Sequence, residues 1–309
     1  MKKEGLLHFL EAQGGPLKDP IGNLLTPNFS TKMEEGHTSD VVEGEKEVGS
    51  SQYQLIQDEI RANAMIGVLK PPSTLLPLFA HADLPGFVPG IEFLAARYDM
   101  RQVRGDGNCF YRAMLYSYLE LLVIGLNADG AESVAATEEL NRIRGFIVQS
   151  KDDLIAIGYA EFAIESFHDM LVELLEGLPS MSRETLLSMF QEDGSGDYYT
   201  WYMRALCACS MRQNSDRFFP FVDDGLSRDM KAYCEREVEP MGKEVEQVQI
   251  MALAEYMGLG INIHYLDGRP FGVQEGLSEI KLPENGATHA ITVHLLYRPG
   301  HYDILYPKA

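Results

Sequence analysis

Residues 105–108 read Gly-Asp-Gly-Asn, and a helical stripe of apolar residues begins directly after them with Cys109 at its head. Phe110, Ala113, Met114, Ser117, Tyr118, Leu121 and Leu122 recur at the spacing of one face of a helix packed on a core. Two glycines within four residues mark a tight turn. The chain must therefore fold so that a sharp turn delivers a cysteine to the mouth of a core helix. Gly125 is predicted to stop that helix.

Further helices are expected over about 52–65, 88–98, 132–150, 160–176, 183–190, 197–212, 226–237 and 246–257, the last ending at Gly258. Pro71, Pro72 and Pro77 mark a connection, and 100–104 is a short linker or strand leading into the turn. Strand signals concentrate late, at 261–266, 290–297 and 301–306, with Arg298-Pro299-Gly300 joining the last two as a hairpin. The predicted class is α/β of the α+β kind, a helix-rich body with a small, mostly antiparallel C-terminal sheet. Residues 1–50 are rich in Gly, Pro, Glu, Ser and Thr without a sustained apolar period. They are read as a flexible polar and acidic tail ahead of one domain over 51–309, with a short helix near Leu6–Leu10.

A thiolate attacks where a thiol does not, and a free cysteine ionises only near pH 8.5 or about that. A helix N-terminus carries roughly half a positive charge, which favours the thiolate on its first residue. Gly105 and Gly107 permit close approach of a substrate backbone, and N–H groups of the Gly105–Asn108 turn and of Cys109 can converge as an oxyanion hole. Asp106 is placed to fix the turn by accepting backbone hydrogen bonds, and Asn108 to cap the helix. Far along the chain, His301 opens a strand after a Pro-Gly turn and Asp303 follows two residues on. Side chains at i and i+2 share a strand face, so the carboxylate can hold the imidazole. His264, His289 and His294 also lie on or beside strands, without an acid two residues away. His8, His37, His81 and His168 fall in the tail or in helical regions, where surface or capping roles suffice. A cysteine nucleophile, a histidine base and an orienting acid are the equipment of a thiol hydrolase.

Composition narrows the partners. The 46 acidic residues outnumber the 26 basic ones, a formal charge of -20, which argues against nucleic acid as a partner, since phosphate neutralisation needs a basic face. A basic protein or peptide tail suits this charge, and solubility alone also accounts for it. Four cysteines, Cys109, Cys207, Cys209 and Cys234, are too few for a disulfide framework, and the last three read as buried thiols. Cys207 and Cys209 point to different helix faces and make a poor metal pair. No apolar run approaches a membrane helix and no signal peptide is evident, so a soluble intracellular protein in a reducing compartment is expected.

The segment Asp106-Gly107-Asn108-Cys109-Phe110-Tyr111-Arg112-Ala113 resembles the nucleophile motif of the ovarian-tumour (OTU) class of deubiquitinating cysteine proteases. Leu295 to Tyr306, reading Leu-Leu-Tyr-Arg-Pro-Gly-His-Tyr-Asp-Ile-Leu-Tyr, and Glu237-Val238-Glu239-Pro240-Met241 narrow the likeness to the otubain branch. It runs from about Gln52 to the C-terminus. The resemblance implies a papain-like thiol protease that cleaves the isopeptide bond after ubiquitin's C-terminal glycine. Cys109 would be nucleophile, His301 base and acid, Asp303 orienting acid and Asp106 the oxyanion-loop aspartate. It implies no metal and no cofactor. It also implies a monomer, cytoplasmic and also nuclear, with ubiquitin, polyubiquitin and a ubiquitin-conjugating enzyme as partners, and neither nucleic acid nor membrane. Ubiquitin's arginine-bearing tail suits an acidic groove. Residues 1–50 match nothing familiar, and Glu246-Gln247-Val248 stands where otubains carry Asp-His. Two other readings stay open: a non-catalytic inhibitor of a conjugating enzyme, and a hydrolase of a ubiquitin-like modifier.

Overall fold

The late strand signals belong to a sheet that also recruits chain from ahead of the cysteine. The computed structural model describes residues 60, 62–191, 195–222, 225–272, 276–283 and 291–308. The predicted tail over 1–50 and nearly all of the helix over 52–65 lie outside them. In chain order come β1 (Ile66–Lys70), a 3-10 turn (Pro72–Leu75), α1 (Leu76–Phe79), α2 (Phe87–Ala95), β2 (Tyr98–Val103) and α3 (Cys109–Leu126). Then follow α4 (Ala131–Ala156), α5 (Glu161–Gly177), α6 (Arg183–Gln191), α7 (Ser195–Gln213) and α8 (Ser215–Val222). The chain closes with α9 (Met230–Tyr233), a π turn (Cys234–Val238), α10 (Gln247–Met257), β3 (Gly260–Tyr265), β4 (Glu279–Leu282), β5 (Thr292–Arg298) and β6 (His301–Pro307).

The six strands lie in the order β1-β2-β6-β5-β3-β4. All neighbours are antiparallel except β3 and β5, which run parallel. The sheet is thus mostly antiparallel, as expected, but it is not confined to the C-terminal third. β2 pairs with the last strand, Met100 against Leu305 and Arg101 against Ile304. This pairing carries the segment that precedes Cys109 to the strand that begins with His301.

Helix α3 has more than one core face. From Cys109 to Glu120 every residue is buried, as are Leu122 and Val123. The helix is enclosed by β5, β6, α4, α6 and α7. It is long and apolar enough to cross a membrane by length and composition, yet it is a core helix. Its charged residues confirm this, because each is buried with partners. Glu120 accepts from Arg101 Nη2 at 2.9 Å, from Arg183 Nε at 3.0 Å and from the Tyr306 hydroxyl. One carboxylate so ties β2, α6 and β6 to α3, which is how a charge is tolerated inside a core. Gly125 is not the stop expected of it. The helix runs on to Leu126, and a Cβ at Gly125 would crowd Ala136 Cβ at 2.8 Å, so the missing side chain lets α4 pack close. On the opposite face of the sheet a smaller cluster joins Leu75, Phe79, Phe87, Ile91 and Leu94 to Met100, Leu266, Leu296 and Leu305.

Candidate active site

The turn before α3 is held from both sides. Gly107 has φ +76°, and a Cβ there would run into the Gly242 carbonyl, so only glycine fits this backbone and this neighbour. Asp106 Oδ1 accepts from the Asn108 N–H at 3.0 Å, the turn-fixing bond expected of it. The same carboxylate takes Arg112 Nη1 at 3.0 Å and Nη2 at 2.8 Å, a bidentate pair that ties the turn to the helix one turn on. Asn108 does not cap the helix. Its Oδ1 instead accepts from the Gly242 N–H at 2.9 Å and from Arg204 Nε and Nη2 at 3.1 and 2.8 Å. The reason is Arg204, fully buried on α7, whose guanidinium also donates to the carbonyls of Gly107, Val238 and Lys243 at 2.8, 2.9 and 2.6 Å. A buried guanidinium needs acceptors more than a helix start needs a side-chain cap.

Cys109 is the first residue of α3 and lies buried near His301, close enough to act on its ring electrostatically. His301 Nε2 lies 2.9 Å from Asp303 Oδ1, so the other ring nitrogen, Nδ1, is left for the sulfur. Nδ1 is also the nitrogen that faces the turn, since a Cβ at Gly105 would stand 3.3 Å from it. Almost two hundred residues apart in the chain, sulfur and imidazole meet because β2 and β6 are zipped together. Asp303 is fully buried, and its Oδ1 also accepts from the Val103 N–H at 3.0 Å while Oδ2 accepts from Arg298 Nε at 2.8 Å.

Electrostatics follow the geometry. Burial alone would raise the Asp303 carboxyl, yet the charges of His301 and Arg298 hold it well below the usual carboxylate range. Burial alone would lower His301, yet Asp303, by charge and hydrogen bond, and then the Cys109 contact raise it to about 9. The ring is thus a cation at neutral pH. Burial pushes the Cys207 thiol up to about 12 and Cys234 higher still, which leaves both inert.

Of the predicted residues, Gly105, Asp106, Gly107, Asn108, Cys109, His301 and Asp303 converge on one place. His264 and His294 lie together elsewhere on the sheet, and His168 is buried on α5 beside Asp169. His8, His37 and His289 lie outside the described residues. Sequence reasoning missed Arg204, Arg298, Gly242 and Glu244, whose carboxyl is raised by burial against the charge of His301 and approaches Gly300. Arg298 had a readable signal, because it begins the hairpin turn directly opposite His301.

A thiol beside an imidazolium that is itself hydrogen-bonded to a buried carboxylate is the residue set of a cysteine-dependent hydrolase. A family model described as Peptidase C65 Otubain matches residues 58–307, and the chain belongs to that family. Human ubiquitin thioesterase OTUB1 is 34% identical over 259 residues, covering 83% of this chain and 88% of that protein. A ubiquitin thioesterase otubain-like protein of Caenorhabditis elegans is 29% identical over 274 residues, covering 87% and 90%. Among solved structures, a chain of the h/ceOTUB1–ubiquitin aldehyde–UBCH5B~Ub complex superposes with TM-score 0.73 at 29% identity, covering 86% of this chain and 99% of that one. A chain of the ceOTUB1–ubiquitin aldehyde–UBC13~Ub complex gives 0.71 at 29% identity, covering 84% and 99%.

Proposed function

We propose that residues 51–309 form a deubiquitinating cysteine protease that hydrolyses isopeptide bonds after the C-terminal glycine of ubiquitin. The observation that carries this is the line from Cys109 through His301 to Asp303, in a chain whose relatives are ubiquitin thioesterases. The Cys109 thiolate adds to the glycine carbonyl carbon. The N–H of Cys109, which has no acceptor inside the helix, and N–H groups of the Gly105–Asn108 turn receive the oxyanion. The tetrahedral adduct collapses, the C–N bond breaks, and the His301 imidazolium gives its Nδ1 proton to the departing lysine amine. Water then attacks the thioester, its proton passing to His301, and ubiquitin leaves with a free carboxylate. Asp303 keeps the ring oriented and charged, and Asp106 holds the turn in shape. The test is covalent capture by a ubiquitin carrying a C-terminal electrophile. Wild type is expected to form the adduct, and Cys109→Ala and His301→Ala are not. A wild-type chain that ignores the probe removes the enzyme reading.

A second reading rests on a separate observation, that the superposed OTUB1 structures hold a ubiquitin-conjugating enzyme with ubiquitin. On this reading the protein binds such an enzyme and blocks chain assembly without catalysis. Cys109→Ala is then expected to retain suppression of chain synthesis in a reconstituted ligation assay, and loss of suppression in that variant refutes it.

A further inference from the structure

Three side chains that the hydrolysis does not use meet on the far half of the sheet. His264 on β3 faces Glu279 on β4 across an antiparallel pair. His294 on β5 is the diagonal neighbour, since β5 is aligned with Asn262 opposite His294 and His264 opposite Leu296. Strand alternation puts all three on one sheet face. His264 Nε2 lies 3.4 Å from His294 Nδ1 and 3.7 Å from Glu279 Oε1, and one ligand atom from each residue falls within 4.8 Å of the others.

The spacing is long for a hydrogen bond between imidazoles, which prefers about 2.7–3.2 Å. It fits the edge of a metal's coordination sphere. Ligands at about 2.0–2.1 Å from a tetrahedral Zn2+ stand roughly 3.3–3.4 Å from one another. Two imidazole nitrogens and one carboxylate oxygen are a donor set that zinc accepts with a water in the fourth position. Tyr98 packs beside them at 4.9 Å from His264 and 6.0 Å from His294, which steadies the ring planes. The competing cation is Lys281, whose Nζ lies 3.3 Å from Glu279 Oε2 and leaves Oε1 for an ion. Its side chain is 68% exposed and free to swing into solvent.

We propose that His264, Glu279 and His294 bind one Zn2+ that cross-links β3, β4 and β5. The site was invisible as a motif because each ligand is fifteen residues from the next and on its own strand. It stands on β5 away from the Arg298 end that meets His301, so its role is structural and its test needs no catalysis. The experiment uses the full chain in a Cys109→Ala background, so that the active-site thiol cannot compete for metal. Co2+ serves as a visible-absorbing stand-in, and Zn2+ affinity is read by competition with a chromophoric chelator. The parent is expected to take up one ion at this site, with the intense bands of tetrahedral cobalt. His294→Phe and Glu279→Gln, added singly at partly or well exposed positions, are expected to abolish those bands and weaken Zn2+ binding at least about 10–100-fold. Lys281→Gln, which removes the competing cation, is expected to tighten it. Identical affinity and spectra in parent and ligand variants, or no binding by the parent, overturns the proposal.

Discussion

Replacing Asp303 by Asn removes one charge and keeps the shape of the side chain, so it isolates what that charge does. In the native site His301 holds its proton to about pH 9, against 6.5 for an ordinary histidine. That difference of about 2.5 pH units corresponds to about 3 kcal/mol in favour of the imidazolium. Burial works against it, and Asp303 is the largest influence in its favour. Without the carboxylate, the ring falls to its ordinary value or below. At about pH 7.5 a group titrating near 9 is almost wholly protonated, whereas one titrating near 6.5 is about one-tenth protonated. The loss of competent enzyme from ionisation alone is therefore about tenfold, smaller than the loss on removing Cys109 or His301. The assay is kcat/KM for a fluorogenic C-terminal amide of ubiquitin as a function of pH. The alkaline limb of wild type is expected near 9, and that of Asp303→Asn at 6.5 or lower. An alkaline limb that stays near 9 in the variant would show that Asp303 does not hold the proton on His301.

Arg298→Gln makes the converse prediction. Its charge lowers His301, so removing it is expected to move the same alkaline limb upward, and a downward move contradicts the assignment. Arg204→Met strips a donor from the carbonyls of Gly107, Val238 and Lys243, at about 1–3 kcal/mol for each buried group left unpaired. A lower midpoint in urea and slower probe capture are expected, and an unchanged midpoint refutes the pinning role. The His301–Asp303 pair also makes stability depend on pH. His301 is raised on folding, so its contribution is full below about 6.5 and is lost as pH climbs through about 9. Asp303 is lowered, so its contribution is present above about 3.8 and is lost in acid. Urea unfolding at about pH 6 and pH 10 is expected to differ by up to about 3 kcal/mol more in wild type than in His301→Gln, and equal differences exclude the pair as the source.

The reacting groups were legible because each sits in a short local pattern. A glycine turn running into an apolar stripe announces a residue at a helix mouth, and a histidine with an acid two residues on announces one strand face. What fixes those groups was not legible. Arg204 lies within a helical pattern, where an arginine reads as a solvated face until its acceptors on three distant segments are known. Asn108 looked like a cap because its type and position fit that role, and the buried guanidinium outcompetes the helix for its oxygen. Among the helices from Ala131 to Met257, the first runs six residues past its expected end at 150, the one expected over 226–237 is a four-residue helix with a π turn, and Ser215–Val222 was not foreseen; the others agree to within two residues, and Gly258 does follow the last. β1 and β4 were missed for a physical reason. They are edge strands of five and four residues, half exposed, without the alternation that burial on one face imposes. β2 was readable only as a linker or strand, because its pairing partner is two hundred positions away.

The contact between the Val103 amide and Asp303 makes alignment of the second and sixth strands a condition of chemistry as well as of folding. Side chains alternate along a strand, so a slip by one position would present Tyr302 to the sulfur and turn the imidazole away. Such a misaligned chain would keep every reactive residue and most of its buried surface, yet be inert. The two-residue link at Pro299-Gly300, with Arg298 opposite His301, guards against that slip. Lengthening this link by a single residue would therefore disturb the chemistry while leaving the sulfur untouched.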